Sequence, residues 1–326
     1  MPIINNLFLP AIPLISFCGF IITFLLIDPV KNFAIRKSLY DLPNERKQHK
    51  SKIVRVGGIA IFLGFLGSYF ILNGFYKLND IQNFNNINSI NLLICSLFFF
   101  LIGFTDDIKN LSPFTRLIFQ FSVATYAWLS GLRIVNLDIE FFNINLDLNS
   151  FPIIFNFILT IFWIVGVVNA INWIDGLDGL AGGVLSIVFL GVIYYSISTS
   201  NIELSNLTLL LFGSLFAFLL NNFYPAKILM GDGGSYFIGF WTATIVLFLD
   251  PMNIVAITGK TILFLAFPLL DMLLVILSRI CKGVSPFFPD RNHFHHKVLK
   301  VGFSERNTVI LIYLINIFFV FAAIKI

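Results

Sequence analysis

The sequence predicts an all-α integral membrane protein of about ten transmembrane helices, with its chemistry on the cytoplasmic face and a small external β-hairpin. Three observations carry that prediction. Hydrophobic residues make up 58% of the 326 residues and charged residues only 12%, a balance outside the soluble range. The apolar residues gather into runs near the roughly 20-residue length that crosses a bilayer core. Finally, 17 of the 21 lysines and arginines, and all 4 histidines, fall in alternate polar breaks between those runs.

In order, the runs are Leu7–Ile27, Val56–Tyr76, Ile90–Phe104, Leu117–Ser130, Phe151–Val168, Leu180–Ser198, Leu207–Leu220, Phe237–Leu249, Thr258–Leu277 and Asn307–Ile324. The shorter ones must borrow flanking residues to span. The first has no basic leader and no small-residue cleavage site, so it reads as a retained span rather than a signal peptide. The odd-numbered breaks (28–55, 105–116, 169–179, 221–236, 278–306) hold 8, 2, 0, 1 and 6 Lys or Arg; the rest of the chain holds Lys77, Arg133, Lys260 and Lys325. Basic loops stay cytoplasmic, which places the odd breaks inside and both termini outside. Residues 131–150, with the alternation IVNLDIEFFNINLDL, predict the external hairpin. Cys18, Cys95 and Cys281 show no metal spacing and imply neither disulfide nor zinc. The net charge of +4 suits membrane lipid headgroups or a phosphorylated substrate, and no nucleic acid is expected as a partner. No internal repeat divides residues 1–326, which read as a single polytopic membrane domain.

The cytoplasmic breaks hold the candidate chemistry. In the second, Asp106 and Asp107 are adjacent carboxylates at a helix end, where they require a cation or a proton; Lys109 and Arg116 follow. The third reads Asn169-Ala-Ile-Asn172-Trp-Ile-Asp175-Gly176-Leu-Asp178-Gly179-Leu180, and it converges oxygen atoms suited to a hard cation or a nucleobase edge. Helix caps and turn formers are the alternative use of these residue types. The fourth, Met230-Gly-Asp232-Gly-Gly-Ser235, is a Gly-rich turn opening a helix, where free N–H groups favour phosphate and Asp232 could hold a divalent ion. In the fifth, Arg291, His293, His295, His296 and Lys297 suit anion binding better than zinc, since no HExxH pattern or cysteine accompanies them. Asp271 lies inside the preceding apolar run, where a carboxylate signals either function or pairing with a basic group. The first break supplies Lys47 in a basic loop and Arg55-Val-Gly-Gly at a helix entrance, with topogenic charge as the alternative.

Taken together, LPNxRKxH with RxGG, GxxDD, NxxNxxDGxDGL, MGDxGS, and HxHH followed by KxLxxGFS resemble, in that order, the polyprenyl-phosphate N-acetylhexosamine-1-phosphate transferase family. The resemblance covers residues 40–305. It implies transfer of an N-acetylhexosamine-1-phosphate, GlcNAc-1-phosphate foremost, from a UDP-N-acetyl sugar to undecaprenyl phosphate with release of UMP. It further implies Mg²⁺ (Mn²⁺ as a substitute), a bacterial inner-membrane location, a start to cell-surface polysaccharide synthesis and, as in related enzymes, a homodimer. His293-Phe-His295-His296 and Pro268-Leu-Leu-Asp271 look like the N-acetylglucosamine branch rather than the muramoyl-pentapeptide branch, which usually carries three consecutive histidines. By the same resemblance Asp232 is the principal metal ligand, completed by Asn172 or Asp175. Asp106 and Asp107 stand by the lipid phosphate, with Lys47, Lys109 and Arg116 as its partners. Asn169, Gly176 and Asp178 belong to the nucleotide site, Asp178 reading uracil, while Arg291, His293, His295 and His296 grip the pyrophosphate. A transporter is the alternative from another class, although polar residues at helix ends rather than midplane, and the lack of paired halves, speak against it.

Overall fold

A computed structural model describes residues 2–37, 39–41, 53–78, 89–250, 254–285 and 292–326. Twelve α-helices and five short strands make up those residues. Seven helices are long and apolar enough to cross a membrane: α1 (Pro2–Arg36), α2 (Gly57–Leu78), α3 (Ser89–Lys109), α5 (Ile153–Ile174), α6 (Leu180–Ser198), α7 (Ile202–Asn222) and α12 (Glu305–Lys325). The remaining three apolar runs are also helical but shorter: α4 (Pro113–Leu129), α8 (Gly231–Ile245, extended by a 3₁₀ turn over Val246–Phe248), and a helix broken into α9 (Gly259–Phe264) and α10 (Ala266–Cys281).

The break between α9 and α10 corrects the expectation of one continuous run over Thr258–Leu277. Its cause is Pro268, which lacks the N–H that would reach the Phe264 carbonyl and whose ring collides with that turn. Leu265 takes up the kink at φ −105°, ψ 13°. A second correction concerns the third polar break. Helix α5 runs to Ile174, so Asn169 and Asn172 are helical and only 175–179 remain as loop. The amides permit this because Asn169 donates to the Val165 carbonyl one turn back and to Gln120, while Asn172 donates to side chains across the helix interface. Residues 294–300 likewise form a short helix, α11 (Phe294–Lys300), rather than a loop.

Helix α8 is the centre of the bundle, packed by α2, α3 and α5. Apart from Asp232 in its first turn, all its residues are buried, as expected of a helix apolar on every side. Aromatic contacts fix its neighbours: Phe62 of α2 meets Phe237 at 5.3 Å, Phe65 meets Trp241 at 5.1 Å, and Phe99 of α3 stacks on Phe240 at 5.1 Å. Trp163 of α5 donates from its indole to the Ala243 carbonyl at 2.9 Å. A second group, α1, α2 and α6, surrounds α7.

The expected hairpin is present as β3 (Asn136–Ile139) and β4 (Ile144–Asp147), with Asn136 opposite Asp147 and Ile139 opposite Ile144. It follows the C-terminal end of α4 and therefore lies at the end of the bundle away from the clustered polar loops. A third strand, β5 (Ala256–Thr258), adds in parallel to β3, so that face carries a three-stranded sheet rather than a hairpin alone. At the polar-loop end, β1 (Tyr40–Asp41) pairs with β2 (Ile53–Val54).

Gly103 determines how closely α3 approaches α8. A Cβ there would collide with the Asp232 carbonyl, a backbone group that cannot swing aside. Gly103→Val should therefore cost about 1–3 kcal/mol by overpacking and lower the thermal midpoint in detergent. Gly74→Val, at a position where an added Cβ meets nothing within 4 Å, should leave that midpoint in place.

Candidate active site

The described parts of the first, second and fourth loop regions, with the end of α5, converge on the first turn of α8, while the fifth packs against the turn after α5. Leu229 N–H donates to the Val54 carbonyl at 2.8 Å; in return, Gly57 N–H donates to the Leu229 carbonyl at 2.9 Å and Gly58 N–H to the Met230 carbonyl at 2.8 Å. This strand-like zipper joins the first loop to the fourth. The chain then turns into α8 through Gly231 at φ +76°, where a Cβ would also strike the Arg55 carbonyl and the Asp107 carboxylate.

Asp107, at the end of α3, caps the helix that follows this turn. Its Oδ1 accepts from Asp232 N–H at 2.9 Å and its Oδ2 from Gly233 N–H at 3.0 Å. Arg55 bridges Asp107 and Asp232, with Nε 3.4 Å from Asp107 Oδ1 and Nη2 3.0 Å from Asp232 Oδ1. Asn172 of α5 closes the cluster by donating to Asp232 Oδ1 at 2.8 Å and to Ser235 Oγ at 2.9 Å. Asp106 lies beside Asp232 as well but is held by other groups: Oδ1 accepts from Leu111 N–H and Oδ2 from Arg116, both at 2.7 Å. Asp106 and Asp107 are therefore adjacent in sequence but engaged on different partners.

The turn after α5 is braced on three sides. Asp178 Oδ2 accepts from Ala226 N–H at 2.8 Å, Asn222 Oδ1 accepts from Gly179 N–H at 3.1 Å, and the Tyr313 hydroxyl donates to the Gly179 carbonyl at 2.5 Å. The histidines approach from the fifth loop. Asp271 of α10 accepts from His293 Nδ1 and from Phe294 N–H, each at 2.7 Å, so this intramembrane carboxylate is paired with a basic group. Trp173 lies edge-on to His293 and under the Arg279 guanidinium. The His295 ring is buried, sits against Gly176 and stacks with His293, and His296 lies 4.2 Å from His295 by ring centroids. Lys109 is exposed at the end of α3 and joins no ion pair among the described residues, while Lys47 and Arg291 lie outside those residues.

Two titrations distinguish this site. Burial, with the charges of Asp232 and Asp178 adding to it and Arg55 opposing, pushes the Asp175 carboxyl up to about 7. Burial, reinforced by repulsion from His296 and His293 and opposed by Asp271, holds His295 down at about 3. His295 is thus neutral at ordinary pH.

The family described as Glycosyl transferase family 4 matches residues 89–250, from α3 through α8. A probable undecaprenyl-phosphate N-acetylglucosaminyl 1-phosphate transferase of Bacillus subtilis (strain 168) is 32% identical over 316 residues, spanning 95% of this chain and 84% of that protein. The chain belongs to glycosyl transferase family 4. An undecaprenyl-phosphate alpha-N-acetylglucosaminyl 1-phosphate transferase of Yersinia pestis is 31% identical over 94% of this chain and 81% of its own length. A decaprenyl-phosphate N-acetylglucosaminephosphotransferase of Mycobacterium tuberculosis (strain ATCC 25618 / H37Rv) is 31% identical over 94% of this chain and 80% of its own length. The family-4 chain is accordingly a multi-pass membrane transferase, and the transporter alternative falls away.

Asp232 Oδ1 is met here by nitrogen donors, Arg55 Nη2 and Asn172 Nδ2, and the side chains that could offer oxygen to a divalent ion are those of the sequence expectation. Asp232, the carboxamide oxygen of Asn172 and the half-buried Asp175 are oxygen donors of the kind Mg²⁺ takes. Among the described residues no three His, Cys, Asp or Glu side chains group to hold a metal ion by themselves. Sequence reading had singled out Arg55 as the cation before Val-Gly-Gly and Asp271 as a carboxylate in an apolar run, but it passed over other contributors. Gln120, Asn222 and Tyr313 carried no local signal, since each acts through a partner at least 43 residues away, apart from Asn222's bond to Ile228.

Because Asp107 caps α8, Asp107→Ala should cost at least the roughly 0.5–2 kcal/mol of a lost N-cap and lower the thermal midpoint with or without substrates. His295 makes a separate, pH-dependent contribution. Its folded value of about 3 lies below the ordinary 6.5, so between these values the unfolded chain binds a proton that the folded one does not. Stability should fall as pH drops from about 6.5 toward 3, and a His295→Gln variant should show a shallower decline in midpoint across pH 6.5–4.5.

Proposed function

We propose that this family-4 transferase moves GlcNAc-1-phosphate from UDP-GlcNAc to undecaprenyl phosphate, releasing UMP. It does so at the cytoplasmic face of the bacterial inner membrane, as the first step of a cell-surface polysaccharide. The observation that carries the proposal is the cluster of Asp232, Asn172, Asp107 and Arg55 at the start of α8, in a chain whose relatives are named for N-acetylglucosaminyl 1-phosphate transfer. Relatives of that name also favour GlcNAc over muramoyl-pentapeptide as the transferred group.

The chemistry is exchange within a pyrophosphate. An oxygen of the lipid phosphate attacks the sugar-bearing phosphorus of the donor, and the bond from that phosphorus to the bridging oxygen breaks. UMP leaves carrying the electron pair. Because both reactants are anions, the work of the protein is alignment and charge neutralisation. Asp232, with Asn172 or Asp175, would hold Mg²⁺, which would supply positive charge to the phosphates. Arg116, Lys109 and Lys47 attract the lipid phosphate, while His293, His295, His296 and Arg291 hold the pyrophosphate and sugar. Asp271 keeps the His293 Nδ1 proton engaged, which turns Nε2 away from that carboxylate. Asn169, Gly176 and Asp178 form the nucleotide side.

Hydrogen bonding supports direct attack over a covalent phosphosugar enzyme. Both oxygens of Asp107 accept N–H groups, and both oxygens of Asp106 are likewise engaged. A carboxylate so occupied is a weakened nucleophile, whereas a phosphate monoester dianion needs no covalent relay.

Detergent-purified protein given UDP-GlcNAc, undecaprenyl phosphate and Mg²⁺ should release UMP, with EDTA abolishing release and Asp232→Ala lowering kcat on the order of 10²-fold or more. Folded protein that releases no UMP, or prefers UDP-N-acetylmuramoyl-pentapeptide, would refute the assignment.

A further inference from the structure

Asp271 is a carboxylate on the inner side of a helix whose outer side is leucine. Leu270, Leu273, Leu274 and Leu277 of α10 are exposed, whereas only 3% of the Asp271 side chain is open. Both of its oxygens are spent on one short stretch of the fifth loop, Oδ1 on Phe294 N–H and Oδ2 on His293 Nδ1. The Phe294 ring also packs edge-on against Phe267, one turn before Asp271. Helix α10 therefore grips the histidine loop at two points.

The His293 ring is held on three sides: Asp271 takes Nδ1, His295 stacks on it with the ring planes 13° apart, and Trp173 meets it edge-on. Trp173 follows Asn172, which bonds to Asp232, so the ring stands beside the end of α5 that reaches the α8 cluster. Nε2 points away from Asp271 and makes no hydrogen bond among the described residues. An ionised carboxylate can only accept, so the proton between Asp271 and His293 belongs to Nδ1, and a neutral imidazole carries one proton. Nε2 is then a lone pair. It attracts a hydroxyl or an amide N–H and repels an ionised phosphate oxygen, which has no proton to share.

We propose that Asp271 is a positioning residue that fixes the tautomer of His293, so that Nε2 accepts a hydroxyl or acetamido N–H from the N-acetyl sugar of the donor. The proposal rests on the reading of the donor as a UDP-N-acetyl sugar, and it narrows the part of His293 from pyrophosphate and sugar to the sugar alone.

Asp271→Asn separates tautomer from architecture. The carboxamide oxygen still accepts from Phe294 N–H while its NH₂ donates to Nδ1, which moves the imidazole proton to Nε2 without losing either bond. Nitrogen NMR of isotope-labelled histidine reads the tautomer in detergent-purified full-length protein at about pH 8, above the ordinary imidazole range, and His293→Gln assigns the resonance. Wild type should show Nε2 unprotonated and Asp271→Asn should show it protonated, at a thermal midpoint close to wild type. The variant should bind UDP-GlcNAc on the order of tenfold more weakly, and UDP, which lacks the sugar, as wild type does. A protonated Nε2 in wild type, a tautomer common to both proteins, a loss that UDP shares, or undiminished UDP-GlcNAc binding once the tautomer has moved overturns the proposal and leaves the transferase reading standing. If Asp271→Asn does not fold, wild type decides: its Nε2 resonance must be unprotonated and must shift with UDP-GlcNAc but not with UDP, and a shift common to both overturns the proposal. Folded wild type that binds no UDP-GlcNAc overturns it together with the function on which it rests.

Discussion

The start of α8 is the constraint on which the rest depends. A helix opens with N–H groups that have no partner within it, and α8 begins among buried residues where water cannot serve. Asp107 supplies the acceptors, and its negative charge also meets the positive end of the helix dipole. Placing that carboxylate requires α3 to lie close against α8, which Gly103 permits. Balancing its charge calls for Arg55, which the zipper between Val54 and Met230 holds in place. Thus one unsatisfied helix end organises three separate loops and, with Asn172, a fourth.

How much of this was legible in the sequence varies with the physics involved. The apolar runs and the polar loops between them were readable, because the bilayer sets their length and composition. So was β3 with β4, whose alternation has the period of a strand; β5 was not, since three residues at the edge of an apolar run carry no pattern. The break at Leu265 escaped because counting apolar residues is blind to the missing N–H of Pro268. The length of α5 escaped because Asn169 and Asn172 read as loop residues until their partners on α4 and α8 are known. In the site, residue types announced the chemistry, but pairings did not. Asp232 meets Arg55 across 177 positions, and Asp271 meets His293 across 22. Nothing in a linear spacing distinguishes Asp106, which binds Arg116, from Asp107 beside it.

The carboxylates of this face thus divide by what already holds them. Asp106, Asp107, Asp178 and Asp271 each accept backbone N–H groups, so part of their negative charge is spent on local architecture. Asp175 is half-buried, and burial with the charge of Asp232 raises its carboxyl toward neutrality. Residues that look equivalent in a motif therefore differ in how freely they can respond to an incoming anion or cation.

The zipper between the first and fourth loops carries a consequence for descent. Because Val54, Gly57 and Gly58 are read by the backbone of Leu229 and Met230 rather than by side chains, the two loops share a register instead of a set of matching residues. Gly57, Gly58 and Gly231 have no room for a Cβ against the facing backbone, whereas a substitution elsewhere in either loop need only keep that register, and an insertion in one of them shifts the residues beyond it. Divergence among such proteins is therefore expected to proceed by replacement within loops of fixed length, and recombination between lineages to succeed where both loops travel together.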